Sequence, residues 1–303
     1  MRAYQCGLGA VQVQNLLPGT SKTCARFAKA RGVPHATIHL PDGSTAAWLG
    51  PREAKKVVVL FHGGGYMAPA LTDHISLAFG FSKQVRGDVA VAVLHYSLAS
   101  EGANHYPCQL QQAVWLIGHL RSDGIGPSAI TLLGDSAGAH LLLSLLFHLV
   151  HPEPRVSPLK LDEQFSGAAL VSPWINLSTT STLAQSSTDK DVLEAAALRY
   201  WASNFLGGVQ PSPWNDQLTA PAEWWHSLPV ENILVTYGDN ELLRDDISVL
   251  CDALKSHPKL TVCKAVGEVH VHMVLNRFLR INKPCESEGV LVEWLERRLT
   301  NET

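Results

Sequence analysis

The 303-residue chain predicts an α/β fold, a mostly parallel eight-stranded sheet with helices on both faces. Three observations point there. Short apolar runs rich in Val, Ile and Leu alternate with helical segments through most of the chain, which is the rhythm of strand–crossover–strand units. Two of those runs end directly in glycine-containing turns, "FHGGGY" and "GDSAG". One long stretch without strand character, 176–228, interrupts the alternation, as an insertion between two sheet strands would.

The elements follow in order. "ATIHL" and "TAAWLG" are short early strands, and Lys56 to His62 is a buried strand, β-branched and almost free of charge. Val89 to Leu98 is the next strand. In "YPCQLQQAVWLIGHLRSDG" Leu110, Ala113, Val114, Ile117 and Leu120 share one helical face, and Gly124 stands just past the end. "AITLL" is a strand, Ala137 to Val150 a helix, and Gly167 to Trp174 a strand. The insertion holds a polar Ser/Thr run, a helical patch near Val192 to Phe205 and a Pro/Trp-rich segment. "NILVTYG" is a strand followed by a helix over Arg244 to Ser256. "KLTVCKAV" is the last strand and "GVLVEWLERRL" the closing helix. This gives a core over 36–175 and 229–303, interrupted by the insertion 176–228. Four tryptophans in the insertion (Trp201, Trp214, Trp224, Trp225) give it the means to pack, which argues against a disordered linker.

Composition narrows the function. Apolar residues are 46% and charged residues 17%, an ordinary globular balance. The formal charge of −3 leaves no basic excess for nucleic acid, and no polybasic run is present to hold an anionic membrane. No stretch has the roughly 18 to 20 apolar residues of a membrane span. The N-terminus lacks a continuous apolar core of a secretory signal, and six scattered cysteines show no paired or metal-like spacing. A cytoplasmic protein with reduced thiols is the expectation. Two glycosylation triplets, at Asn176 and Asn301, carry little weight without a signal. Fourteen histidines raise a metal hypothesis. Neither His270 with His272 nor His148 with His151 has a third ligand at suitable spacing, so no metal and no cofactor is expected.

The chemistry gathers at the two glycine turns. A serine at the tip of a tight strand-to-helix turn needs neighbours with almost no side chain. "GDSAG" supplies Gly134 and Gly138 around Ser136, the nucleophile-elbow pattern. The following helix aims its N-terminus, with free N–H groups, beside the hydroxyl. Three successive glycines, Gly63 to Gly65, bury nothing and let bare backbone approach a ligand. The N–H groups of Gly64, Gly65 and Ala137 are therefore the expected oxyanion donors. A phosphate loop is the weaker reading, because its lysine and hydroxyl are missing. His62 and Asp135 are expected to support the loop and elbow by hydrogen bonding. A serine nucleophile also needs a base and an orienting acid. "DNELLRDD" and "GEVHVHM" follow the last two strands, on the sheet edge where Ser136 emerges. By spacing alone the base is His270 or His272. Asp239 is the second candidate acid, with Asp245 and Asp246 read as facing solvent or capping the helix.

Together "HGGGY", "HYSLASEGANHYP", "GDSAG", "SPWINLS", "WWHSLPVENILVTYGDNELLRDD" and "GEVHVH" resemble the hormone-sensitive-lipase family of α/β-hydrolases, particularly its fungal members, over about Thr37 to His272. The resemblance implies the α/β-hydrolase fold and a serine esterase. The family acid stands in a Gly-x-x-Asp-x-Leu-x-Asp pattern, which Gly238, Glu241, Leu243 and Asp245 match with glutamate in place of aspartate. The family base lies in Gly-x-x-His, matching Gly267 to His270. Ser136, Glu241 and His270 are the resulting triad. The chain has "HYSLAS" where the family commonly has Asp-Tyr-Arg-Leu-Ala-Pro, which puts local loop geometry in question. The resemblance makes 176–228 a small helical cap over the active site, which 1–35 could join, with Tyr66, Trp201 and Trp214 as candidate substrate contacts and an apolar or ring-bearing substrate favoured. The implied partner is a small-molecule ester with a short acyl group, including acetylated secondary metabolites, and a homodimer is left open. An amidase or arylformamidase, a lactonase or a thioesterase would use the same triad. A non-hydrolytic biosynthetic enzyme or ligand-binding protein on this fold is the alternative of another class.

Overall fold

The computed structural model describes residues 9–81, 88–100, 102–177 and 191–300. Eight strands form one sheet in the order β1-β2-β4-β3-β5-β6-β7-β8. They are β1 (His35–His39), β2 (Thr45–Leu49), β3 (Lys56–Phe61), β4 (Val89–His95), β5 (Ile130–Asp135), β6 (Gly167–Val171), β7 (Ile233–Gly238) and β8 (Leu260–Ala265). Only β2 runs antiparallel to its neighbours β1 and β4; β4 through β8 are parallel. The parallel strands therefore present their carboxyl ends on one edge, and the glycine loop, Ser136, Glu241 and His270 all follow such ends.

The helices are α1 (Ala10–Leu16), α2 (Thr20–Arg31), α3 (Thr72–Ala78), α4 (Cys108–Ser122), α5 (Ala137–Val150), α6 (Ala195–Leu206), α7 (Ala222–His226), α8 (Arg244–Leu254), α9 (His272–Phe278) and α10 (Glu286–Thr300). Strand alternation divides the core between the two faces. Val57, Val59 and Phe61 of β3 join the apolar sides of α4, α5 and α8. Val58 and Leu60 face the other way, onto α2, α3, α9 and α10. β3, β5 and β6 are buried along essentially their whole length, as strands covered on both sides must be. β8 closes the sheet as an edge strand, with Val262 44% exposed.

The expected strands and the long helices are present with small shifts at their ends. α1, α2, α3, α7 and α9 have no counterpart in the sequence reading. All but α2 are only five to seven residues long. The N-terminal stretch divides between the two parts of the molecule. The Ala10 amide donates to the Tyr200 hydroxyl of α6 at 3.2 Å, whereas Cys24, Phe27 and Ala28 of α2 are buried against the sheet. Within the insertion, Trp224 and Trp225 meet Phe147 of α5 edge-on, and Trp224 stacks on His151. Both pack onto α5 as part of the main core, away from the cavity beside Ser136. The polar run at 178–190, Cys6 and Asn301 lie outside the described residues. The other five cysteines are unpaired in disulfide terms.

The tightest packing constraint lies where β5 turns into α5. A Cβ on Gly138 would stand 1.9 Å from the Phe61 carbonyl oxygen, and one on Gly134 would stand 2.6 Å from the Gly138 backbone. Neither obstacle is the end of a flexible side chain, so backbone would have to move. Gly138→Ala is expected to destabilise the fold by about 3 kcal/mol or more, read as a lower urea midpoint at unchanged m-value.

Candidate active site

Ser136 sits between β5 and α5 with φ 51° and ψ −118°, a conformation costly for a residue with a Cβ. Surrounding hydrogen bonds hold it there. Its amide donates to the Val171 carbonyl at 2.9 Å, and its carbonyl accepts the amides of His140 and Trp174. The hydroxyl is thereby lifted off the sheet edge toward the loops after β7 and β8.

Those loops bring His270 and Glu241 to it. His270 Nε2 lies 2.9 Å from Ser136 Oγ, and His270 Nδ1 lies 2.9 Å from Glu241 Oε2. The other Glu241 oxygen accepts the Gly238 amide at 2.7 Å and the Ser172 hydroxyl at 3.2 Å. Gly238 has to be glycine, since a Cβ there would meet the Glu268 carbonyl at 2.1 Å. All three side chains are nearly inaccessible to solvent. A carboxylate beside Nδ1 places the ring proton on that nitrogen and leaves Nε2 free to accept the serine proton. Burial alone would lower the His270 pKa. The hydrogen bond and charge of Glu241, aided by Asp191, outweigh it and raise the pKa above the ordinary histidine value.

Asp191 is a residue the sequence reading missed. Its Oδ1 accepts the His270 amide at 3.0 Å and its own neighbour Val192 at 2.6 Å; its Oδ2 accepts the Leu242 amide at 2.6 Å. One carboxylate from the insertion thus ties together the loops that carry acid and base. Its only sequence signal is an acid just before the helical patch, and its partners lie 51 and 79 residues away. Ser172 acts in the same direction, donating to Glu241 and accepting the Val271 amide at 3.1 Å.

On the other side of Ser136 lies the glycine loop. Gly64 and Gly65 have φ of 109° and 61°. Among the described residues no protein acceptor takes up the amides of Gly64, Gly65 or Ala137. Asp135 holds the loop. One carboxylate oxygen accepts the Gly63 amide at 2.9 Å, and the other faces His74 Nε2 at 3.3 Å. Burial opposes its ionisation, but His74 and the Gly63 amide more than compensate and keep its pKa below the usual carboxylate range. His62 donates from Nδ1 to the Gly63 carbonyl at 2.7 Å, and Thr20 Oγ1 stands 3.3 Å from its Nε2. Burial pushes the His62 pKa down to about 3, so the ring is neutral.

A cavity of about 280 Å3 opens beside Ser136 and His270, lined mainly by apolar groups from α1, the glycine loop, α6 and α9. Trp201 lines it, pressed so closely on Gly65 that a Cβ there would stand 2.5 Å from the indole. Two expected contacts need correction. Tyr66 is fully buried behind the loop: its hydroxyl meets His140 Nδ1 at 2.6 Å and its ring stacks on Phe205. Its aromatic bulk serves the join between core and cap. Trp214 packs on Trp224 and donates to the His151 carbonyl, away from the cavity. Asp246 also departs from expectation, being buried and hydrogen-bonded by Asn176. Asp239 accepts the Gly267 amide and Asp245 pairs with Arg244, so neither reaches His270. His272 begins α9, with Nδ1 3.4 Å from the Val269 amide. In the departed "HYSLAS" segment, Thr45 bonds His95 and Gln112 bonds Ser97, so a polar set holds the loop. Among the described residues no group of three or more His, Cys, Asp or Glu side chains could hold a metal ion.

Comparison with known proteins identifies the family. Residues 46–276 match the model of a family described as steryl acetyl hydrolase. An acetyl-hydrolase of Streptomyces hygroscopicus is 30% identical over 72% of this chain and 69% of its own length. An esterase of Acinetobacter venetianus is 30% identical over 76% and 72%. A crystal structure of an esterase from the bacterial hormone-sensitive lipase family superposes with TM-score 0.70, at 23% identity over 93% of each chain. The chain belongs to the steryl acetyl hydrolase family, has the α/β-hydrolase fold, and is a carboxylic-ester hydrolase.

The raised pKa of His270 can be read directly. The ring should titrate above the ordinary value of about 6.5. Glu241→Gln, which removes the charge facing Nδ1, should move the titration to lower pH in histidine-ring NMR. An unchanged midpoint would show that Glu241 does not set it.

Proposed function

We propose that this member of the family is a serine esterase that removes short acyl groups, chiefly acetyl, from apolar alcohols through an acyl-enzyme. The observation that carries the reading is the hydrogen-bonded line Ser136–His270–Glu241 opening into an apolar cavity. Ser136 Oγ attacks the ester carbonyl while His270 Nε2 takes its proton. Glu241 stabilises the imidazolium that forms. The amides of Gly64, Gly65 and Ala137 hold the developing oxyanion, a fixed set of donors that needs no rearrangement during reaction. His270 then returns the proton to the leaving alcohol. Water activated by the same imidazole attacks the acyl-enzyme, releases the acid and restores Ser136.

The cavity supports the substrate class. Val13, Leu17, Leu193, Val274 and Phe278 offer apolar surface and few polar partners, as suits a hydrophobic alcohol. Trp201, lying on Gly65, leaves little depth beside the oxyanion donors, as suits an acetyl group. The family description, steryl acetyl hydrolase, names the same kind of ester. Acetylated ring-bearing secondary metabolites share that chemistry. An amide would need the same machinery to expel a poorer leaving group, and nothing among the described residues stands ready to assist it.

The working form of His270 is neutral, so the rate should fall as pH drops through its raised pKa. The acid limb of kcat/KM is therefore expected above about 6.5. A flat profile down to pH 5 would remove His270 as the base. A small fluorophosphonate should label Ser136 stoichiometrically, as peptide mapping would show. Ser136→Ala should escape labelling and lose roughly 10^4- to 10^6-fold in kcat on an acetyl ester. Faster turnover of matched amides than of acetyl esters in a substrate panel would move the reading to an amidase.

A further inference from the structure

We propose that Asp191 is a positioning residue for the reaction: it belongs to the insertion and touches no reacting atom, yet it sets His270 and Glu241 against Ser136. The inference rests on the serine-esterase reading, and two separate observations carry it.

The first is where the two carboxylate oxygens go. Oδ1 accepts the His270 amide at 3.0 Å and Oδ2 the Leu242 amide at 2.6 Å, so one side chain grips the loop of the base and the loop of the acid. Among the described residues no other acceptor takes up either amide. His270 and Leu242 are both buried. A buried amide deprived of its acceptor is costly, so without Asp191 both loops would shift to find new partners.

The second is strain at the residue after the base. Val271 has φ 48° and ψ 42°, a left-handed conformation that a β-branched side chain disfavours strongly. Such a conformation persists only where the surroundings hold it. Two side chains from other elements do so: the Val271 amide donates to Ser172 Oγ at 3.1 Å, and the amide before it donates to Asp191. Loss of Asp191 would let this backbone relax toward ordinary angles and carry the imidazole away from Ser136 Oγ. A displacement of about 1 Å can cost on the order of 10²-fold in rate.

Charge adds to geometry. The acids that act on the His270 ring are Glu241 on the loop after β7, Asp191 in the insertion and Asp135 at the end of β5. All three favour the imidazolium that forms as Ser136 attacks. Asp191 also adjoins the substrate wall, since the next two residues, Val192 and Leu193, line the cavity. Alignment of the triad and reception of the alcohol therefore share one short segment.

The test compares Asp191→Asn and Asp191→Ala with wild type on a soluble acetyl ester. Asparagine keeps the size of the side chain, but its NH2 group must face one of the two amides that the carboxylate accepts. We expect kcat to fall about tenfold in Asp191→Asn and about 10²-fold in Asp191→Ala, with KM changed less than about twofold. Because an acid that favours the imidazolium is removed, the acid limb of kcat/KM should move to lower pH in both. Glu194→Gln, which removes an exposed charge three residues along, should change neither quantity. A lower urea midpoint with kcat per folded protein and the acid limb unchanged would make Asp191 merely structural and overturn the proposal. So would a loss confined to KM. Asp191→Asn, close to isosteric, decides the point should the alanine variant fold poorly. The rate of Ser136 labelling by a small fluorophosphonate separates this inference from the reading beneath it. A wild type that resists labelling overturns the esterase reading and this inference with it, whereas Asp191 variants that label as fast as wild type overturn the role of Asp191 alone.

Discussion

Everything in the site depends on one close contact, backbone against backbone, where β5 becomes α5. Gly138 lies almost on the carbonyl of Phe61, and Gly134 lies on Gly138. Because nothing separates them, α5 starts directly on the sheet edge and its first amide faces the glycine loop. Ser136 is left at the apex in a conformation that costs on the order of 1 to 3 kcal/mol. The amide bond to Val171 and the two amides on its carbonyl oppose that cost. A wider turn would relieve the strain, but it would also sink the hydroxyl and part Ala137 from Gly64 and Gly65.

The second constraint is that a buried ion pair must have every hydrogen-bonding position filled. Glu241 is almost wholly removed from water, where an unpaired carboxylate would cost several kcal/mol. Its two oxygens are met by His270, the Gly238 amide and the Ser172 hydroxyl. Ser172 and Asp191 then bind the amides on either side of the His270 side chain, those of Val271 and His270 itself. Asp191 also holds Leu242, next to Glu241. The residue that follows it, Val192, lines the cavity. The insertion therefore supplies part of the support for acid and base.

This division explains what could be read in the sequence. The strands are legible because burial on both faces demands uninterrupted β-branched runs, as in Val57 to Leu60 and Val89 to Leu94. Ser136 and the glycine loop are legible because backbone crowding leaves glycine as the residue that fits. The identities of acid and base came from resemblance, since alternation alone left His270 and His272 equal. Asp191 was not legible, because its role is made of two backbone amides far along the chain. Tyr66 and Trp214 misled because an aromatic beside a motif looks the same whether it faces a ligand or joins core to cap. His140 settles the matter for Tyr66: a buried imidazole, its pKa pushed down to about 4, needs the Tyr66 hydroxyl as a partner.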